Sequence, residues 1–209
     1  MPDTPEIQER EDGPLVVTGV TSMTDADGNA VEVKPVMALC RCGQSKSKPF
    51  CDGSHRDAGF KSRGGEPSGK NREYTFKGSA SGVVYNPMVC SHAAFCVTNA
   101  GHMFNLENKP WVDPDKGTDD ELRAIVMACP SGALQMATEA GGEHLIDETR
   151  AQITIQKDGP YYVTGITPPE DQNGSGMTPR KYVLCRCGKS GNKPFCDGAH
   201  RDAGWRDDA

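Results

Sequence analysis

The chain has no long apolar run. Across its 209 residues, no window approaches the about 18 apolar residues that a membrane-spanning helix needs. The first twenty residues are polar and acidic, where a secretory signal would carry an apolar core. Aromatic residues make up 6% and apolar residues only 35%, too little for one large core, so the expectation is small modules that need staples to be stable. Runs of Lys and Arg are missing as well, and the net charge of -6 argues against a nucleic-acid partner. With 24 Gly and 15 Pro, long helices are not expected. No nucleophile and base stand together in the sequence. The tripeptide Gly188 to Ser190 lacks the phosphate-loop glycine five residues earlier, where Val183 stands, and the HRD runs at His55 and His200 come without a Gly-rich loop. The chain is therefore expected not to be an enzyme. Cysteine is what it does have: nine residues, read without a secretory signal as reduced ligands in a cytoplasm rather than as disulfides.

Six of the nine cysteines fall in one pattern written twice. Cys40 to His55 reads CRCGQSKSKPFCDGSH and Cys185 to His200 reads CRCGKSGNKPFCDGAH, both C-x-C-x8-C-x3-H. Three thiols and an imidazole within sixteen residues form a metal-ligand set. Structural zinc takes such a set, yet zinc sites usually open with two to four residues between the first thiolates. A single residue between Cys40 and Cys42 suits a wider inorganic core in which two ligands hold one metal while Cys51 and His55 hold the other.

These residues resemble the CDGSH iron-sulfur family, the NEET-type proteins. Ser45, Pro49, Phe50, Asp52 and Gly53 recur as Ser190, Pro194, Phe195, Asp197 and Gly198, and Ala199 replaces Ser54 without touching the ligands. The resemblance implies a 2Fe-2S cluster on Cys40, Cys42, Cys51 and His55, and another on Cys185, Cys187, Cys196 and His200. Asp52 and Asp197 suit helix N-caps, so a short helix is expected to carry each His and end near Gly59 and Gly204, its N-terminus towards the cluster charge. Arg41 and Arg186 either add positive charge beside the cluster or are solvated surface.

The duplication extends beyond the motif. DGPLVVTGVT (Asp12 to Thr21) returns as DGPYYVTGIT (Asp158 to Thr167) at an offset of 146, and from the cysteines onward the offset is 145. Each copy predicts a turn at DGP, a β-branched strand, a turn-rich loop (TDADGNA or PPEDQNGSG), and a second strand at Val36 to Leu39 or Lys181 to Leu184. The closing aromatic of HRDAGF or HRDAGW either covers the cluster or fills a small core.

Between the copies, Cys90, Cys96 and Cys129 follow a different spacing. Thr118 to Glu121 reads as a capping box for a helix with Leu122, Ile125 and Val126 on one face, ending at Cys129 and Pro130, between strands at Gly82 to Tyr85 and Ala133 to Met136. A Cys followed by Pro at the end of a helix resembles the last ligand of a bacterial ferredoxin, and the segment is similar to divergent single-cluster ferredoxin-like domains. Ala93 stands where an ordinary 4Fe-4S ferredoxin would carry a thiolate. The resemblance thus implies a 3Fe-4S or a 4Fe-4S cluster on Cys90, Cys96 and Cys129, with His92 either a fourth ligand or a polar residue at a helix start; His102 and His144 are assigned to surface or linker.

The expected architecture is α+β: two small β-rich CDGSH modules forming an intramolecular pseudo-dimer, with an inserted ferredoxin-like domain. The expected divisions are an acidic disordered tail (1–11), the first module (12–63), a linker (64–73), the middle domain (74–138), a linker (139–157) and the second module (158–209). The expected function is electron transfer by a cytoplasmic monomer with an internal pseudo-two-fold, towards a redox partner protein. The alternatives are cluster storage, transfer to an apo acceptor, or redox sensing, and then a zinc-bound scaffold.

Overall fold

A computed structural model of the chain describes residues 4–147, 151–170 and 180–207. Residues 171–176 of the second turn-rich loop, with parts of the expected tail and second linker, lie outside them. The fold is α+β and rich in strand: β1 (Glu6–Glu9), β2 (Leu15–Thr18), β3 (Met23–Thr24), β4 (Val36–Leu39), β5 (Tyr74–Lys77), β6 (Gly82–Tyr85), α1 (Phe95–Asn99), α2 (Asp119–Ala128), β7 (Leu134–Thr138), β8 (Gly141–Glu143), β9 (Gln152–Ile155), β10 (Tyr161–Thr164), β11 (Lys181–Leu184) and α3 (Ala199–Asp202). Among the described residues, no helix is long and apolar enough to cross a membrane.

The repeated DGP segments make matching strands. In LVVT and YYVT alternate side chains are buried, as a pleated strand with one covered face requires. Sheet one runs β1-β2-β4 and sheet two β11-β10-β9-β3. Leu15 pairs with Leu39 and Tyr161 with Leu184 in the same antiparallel register.

The two sheets exchange chain. Strand β3, from the first copy, lies parallel to β9 in the second sheet, with Met23 opposite Ile153. In return, the Ile7 amide donates to Thr167 O (2.9 Å) and the Thr167 amide to Pro5 O (2.9 Å). Apolar residues of both copies, among them Ile7, Leu15, Met23 and Leu39 with Ile153, Tyr161, Ile166 and Leu184, then bury one another in a common core. Neither copy is large enough to bury this surface alone.

Three expectations need correction here. Residues 6–9, assigned to a disordered tail, form β1. Only Ile7 of that strand is deeply buried, and the charged residues that suggested a tail are those of an edge strand. The linker assigned to 139–157 holds β8 and β9, and β9 is the repeat of β1 at the offset of 146, so the duplication begins before DGP. The helix expected from the motif aspartates is only four residues in the second copy, capped by Gly198, and is a series of turns in the first. Each Asp instead accepts from two amides: Asp52 from Ser54 and Lys46, Asp197 from Ala199 and Gly191. The aspartates close the ligand loop on itself.

The middle segment has its own antiparallel sheet, β5-β6-β7-β8. Strand β6 and helix α2 match the sequence expectation, and β7 begins one residue later. The capping box at Thr118 and Glu121 is present. Leu122, Ile125 and Val126 are buried against Val83, Phe104, Val112 and Met136; full burial of each such side chain contributes about 1.5–3 kcal/mol. This packing fixes the end of α2, where Cys129 stands.

Candidate metal centres

Each C-x-C-x8-C-x3-H loop arranges its four donors in two pairs. Cys40 Sγ lies 3.7 Å from Cys42 Sγ, and Cys51 Sγ lies 3.4 Å from His55 Nδ1. In the second copy Cys185 and Cys187 are 3.8 Å apart, and Cys196 is 3.6 Å from His200 Nδ1. Two thiolates on one tetrahedral ion at about 2.3 Å stand about 3.8 Å apart, and a thiolate and a ring nitrogen at about 2.0 Å stand about 3.5 Å apart. Each pair therefore has the spacing of two ligands on one metal. Among the described residues no three His, Cys, Asp or Glu side chains gather closely enough to hold a single ion. Two such pairs in each loop fit two adjacent metal atoms, as in a 2Fe-2S group.

The loops also tune their sulfurs. Cys40 is held down to about 5 by the hydrogen bond it shares with Cys42 and by the amides of Ser45 and Gly43, against burial; Cys42 is pushed up by the same shared proton. Cys185 is likewise lowered to about 7 and Cys187 raised. The amides of Lys189 and Gly198 point at Cys187 and Cys196, each at 3.4 Å. Amides converging on sulfur favour the thiolate, the form that binds metal, and here they oppose the burial that pushes the pKa of Cys196 up and adds to the rise of Cys187.

The two C-x-C segments meet back to back, Cys42 bridging to Cys187. A Cβ at Gly43 would stand 2.7 Å from Cys187 O, and one at Gly188 2.7 Å from Cys42 O, both at positive φ. Glycine is required there by the contact and by the backbone conformation. The second copy also reaches into the first: Tyr161, fully buried, donates its hydroxyl to Cys40 O (2.8 Å) and Pro49 O (3.1 Å), and Trp205 Nε1 donates to Gly43 O (3.3 Å).

Neither arginine of the motif is solvated surface. Arg41 donates from Nε to Gly13 O (2.7 Å) and from Nη2 to Arg10 O (2.6 Å) and Ser62 Oγ (2.5 Å), pairs with Glu9, and lies over the Phe60 ring. Arg186 pairs with Asp207 and lies over Trp205 and Tyr161. The closing aromatics are thus platforms for the arginines. The charge of Arg41 reaches Cys185, and that of Arg186 reaches Cys40, each in the opposite copy.

In the middle segment Cys90, Cys96 and Cys129 line one apolar cavity of about 40 Å³ with Tyr85, Trp111 and Pro130. Burial pushes Cys96 up to about 11 and Cys90 up as well, while Cys90 accepts hydrogen bonds from the His92 amide (3.4 Å) and the Tyr85 hydroxyl. Ala93 also lines the cavity, a methyl group where an ordinary ferredoxin would present a thiolate. The His92 ring is not part of this lining: it is exposed, with Nε2 3.5 Å from Ser68 Oγ. Three thiols around an apolar cavity fit an iron-sulfur group with one iron not held by cysteine. His102, on the surface, lies 4.0 Å from Glu121; His144 is half-buried, and burial and then the charge of Lys181 lower its pKa.

The middle domain covers one CDGSH loop and leaves the other open. Asn192 Nδ2 donates to Met88 O (3.1 Å), Arg201 to His92 O, and a Cβ at Gly198 would meet His92 Cβ at 3.1 Å, whereas one at the matching Gly53 would meet nothing within 4 Å. Cys196 and His200 are buried; Cys51 and His55 are half-exposed. Burial pushes the half-buried Tyr162 hydroxyl pKa up, and the charges of Cys196 and Cys129 push it the same way.

Sequence reading missed Tyr161, Tyr85 and Lys181. For two of them a signal exists in the duplication: Tyr161 and Lys181 stand where the first copy has Leu15 and Val36. Polar replacements at apolar strand positions of a repeat mark contacts that only one copy makes.

Comparison with known proteins finds two families along the chain. Residues 12–56 and 158–201 match the family described as iron-binding zinc finger CDGSH type, and residues 76–139 match the divergent 4Fe-4S mono-cluster family. The chain is 39% identical over 60 residues to uncharacterized protein YjdI of Escherichia coli, in two strains, an alignment covering 29% of this chain and 79% of the relative.

Proposed function

Because the chain belongs to the CDGSH iron-binding family, with a divergent 4Fe-4S mono-cluster domain between its two copies, we propose that this iron-sulfur protein is an electron carrier with three centres. Cys40, Cys42, Cys51 and His55 would hold one 2Fe-2S cluster; Cys185, Cys187, Cys196 and His200 the second; Cys90, Cys96 and Cys129 a 3Fe-4S or 4Fe-4S cluster. When bound, these groups supply one-electron redox chemistry at potentials set by ligands, hydrogen bonds and exposure. The observation that carries the reading is the pairing of donors in each loop, two by two at 3.4 to 3.8 Å.

The exchange of β3 and the meeting of the C-x-C loops support an intramolecular pseudo-dimer, complete within one chain, with the middle domain as an insert. Its residues give the carrier a direction. The half-exposed Cys51 and His55 make the first copy the face for a redox partner protein, and the middle domain keeps water and partners from Cys196 and His200. The test is a redox titration of anaerobically purified protein followed by visible and EPR spectra: three reversible one-electron couples support the carrier, and clusters lost on the first reduction cycle refute it.

One observation favours a second reading, delivery of a cluster to an apo acceptor. His55, the lone nitrogen ligand of the first copy, is reachable from solvent. Incubation with an apo 2Fe-2S acceptor decides: transfer confined to the first copy supports delivery, and retention of all iron supports the carrier.

A further inference from the structure

Strand β11 repeats β4, and its first residue breaks the repeat. Val36 is 62% exposed, whereas Lys181 at the matching position is 5% exposed. Lys181 Nζ donates to three main-chain oxygens: Leu145 O at 2.7 Å, Val126 O at 3.0 Å and Met127 O at 3.1 Å. An ammonium has three protons and accepts nothing, so these carbonyls satisfy it completely. Two of them belong to the last turn of α2, where carbonyls lack helical partners and the dipole is negative. Val126 O also receives the Cys129 amide (3.3 Å), so the ammonium and the ligand backbone share one acceptor.

We propose that Lys181 is a positioning residue for the middle centre: it ties the end of α2, and so Cys129, to the second copy and sets a buried positive charge beside the three-thiol cavity. Burial lowers the Lys181 pKa and the Cys129 charge opposes that shift; three carbonyl acceptors at 2.7 to 3.1 Å match the three protons of an ammonium, where a neutral amine has only two. A positive charge near the ligand set favours the reduced, more negative state of the centre, so Lys181 raises its potential. The first copy, with Val36, has no such group to offer. This rests on the reading of Cys90, Cys96 and Cys129 as cluster ligands.

The test is an EPR-monitored redox titration of the full-length holoprotein with Lys181→Met and Lys181→Arg. At a poise near the wild-type midpoint, the Met variant should show the reduced-to-oxidised ratio of the middle centre falling about tenfold, which for one electron is about 59 mV. Both 2Fe-2S couples should stay in place as internal controls, and the Arg variant should return towards wild type. An unchanged middle potential in the Met variant overturns the proposal. If the Met variant loses the middle centre, retention by Arg supports the proposal and loss in both variants overturns it. A wild-type protein without any middle-centre signal would refute the cluster reading itself, before the variants are compared.

Discussion

Replacing Tyr161 with phenylalanine removes a single oxygen from a side chain with no exposure to solvent. Burial pushes its pKa well up, so the hydroxyl is a donor at any working pH, and it spans from the second copy to Cys40 O at 2.8 Å and Pro49 O at 3.1 Å. Pro49 O retains the Cys40 amide at 2.8 Å, while among the described residues Cys40 O has the Tyr161 hydroxyl as its donor. A buried acceptor left unpaired costs about 1–3 kcal/mol. In a chain of this size each kcal/mol lowers Tm by about 2–4 °C, so Tyr161→Phe should unfold roughly 2–12 °C below the parent protein. The assay is thermal unfolding of the holoprotein followed by far-ultraviolet circular dichroism and by bleaching of visible absorbance. Bleaching of the first-copy cluster should lead, because Cys40 belongs to its ligand set. Equal Tm and equal bleaching in the two proteins would refute the view that the copies are joined through this bond.

Ala93→Cys should convert the middle centre to a fully thiolate-held 4Fe-4S cluster, read as loss of a 3Fe-4S type EPR signal in oxidised protein; persistence of that signal would mean that position 93 does not reach the cluster. Cys129→Ala should remove the middle centre and spare both CDGSH centres, measured as iron and sulfide per chain, and unchanged iron would exclude Cys129 as a ligand. Thr118→Ala should destabilise the middle domain by about 1 kcal/mol, checked by hydrogen exchange in α2. Thr118 also holds the Glu121 carboxylate below its ordinary pKa, first through the backbone bond and then the hydroxyl. This contribution is present above the unfolded carboxylate pKa of about 4.3 and fades as pH falls through the lower folded value, so the protection of α2, taken relative to the intrinsic exchange rate at each pH, should fall in acid in the parent protein and change less in Glu121→Gln.

What the sequence made legible was local. The strands β4 and β11, the capping box at Thr118 and the donor sets each depend on neighbours within a few residues, and their spacing shows in the letters. Strand β1 was not visible as such, because an edge strand with one deeply buried residue, Ile7, reads like a charged tail; β9 alternates as QITI but is only four residues long and lies before the DGP turn from which the repeat was counted. The helix expected after Asp52 and Asp197 came from a valid capping preference, but the aspartate oxygens turn back to Lys46 and Gly191 and leave room for one turn at most. Arg41 was ambiguous between cluster and solvent because its actual partners, Arg10, Gly13 and Ser62, lie 31, 28 and 21 residues away. Lys181 and Tyr161 act across even longer separations, and only the mismatch with Val36 and Leu15 hints at them.

The central claim is that each repeated loop is built for two metal atoms, and that a third centre lies between the loops. Metal and sulfide analysis of anaerobically purified protein tests it most directly. The expected result is acid-labile sulfide with more iron than two 2Fe-2S sites can hold, and little zinc. Stoichiometric zinc without sulfide would contradict the account.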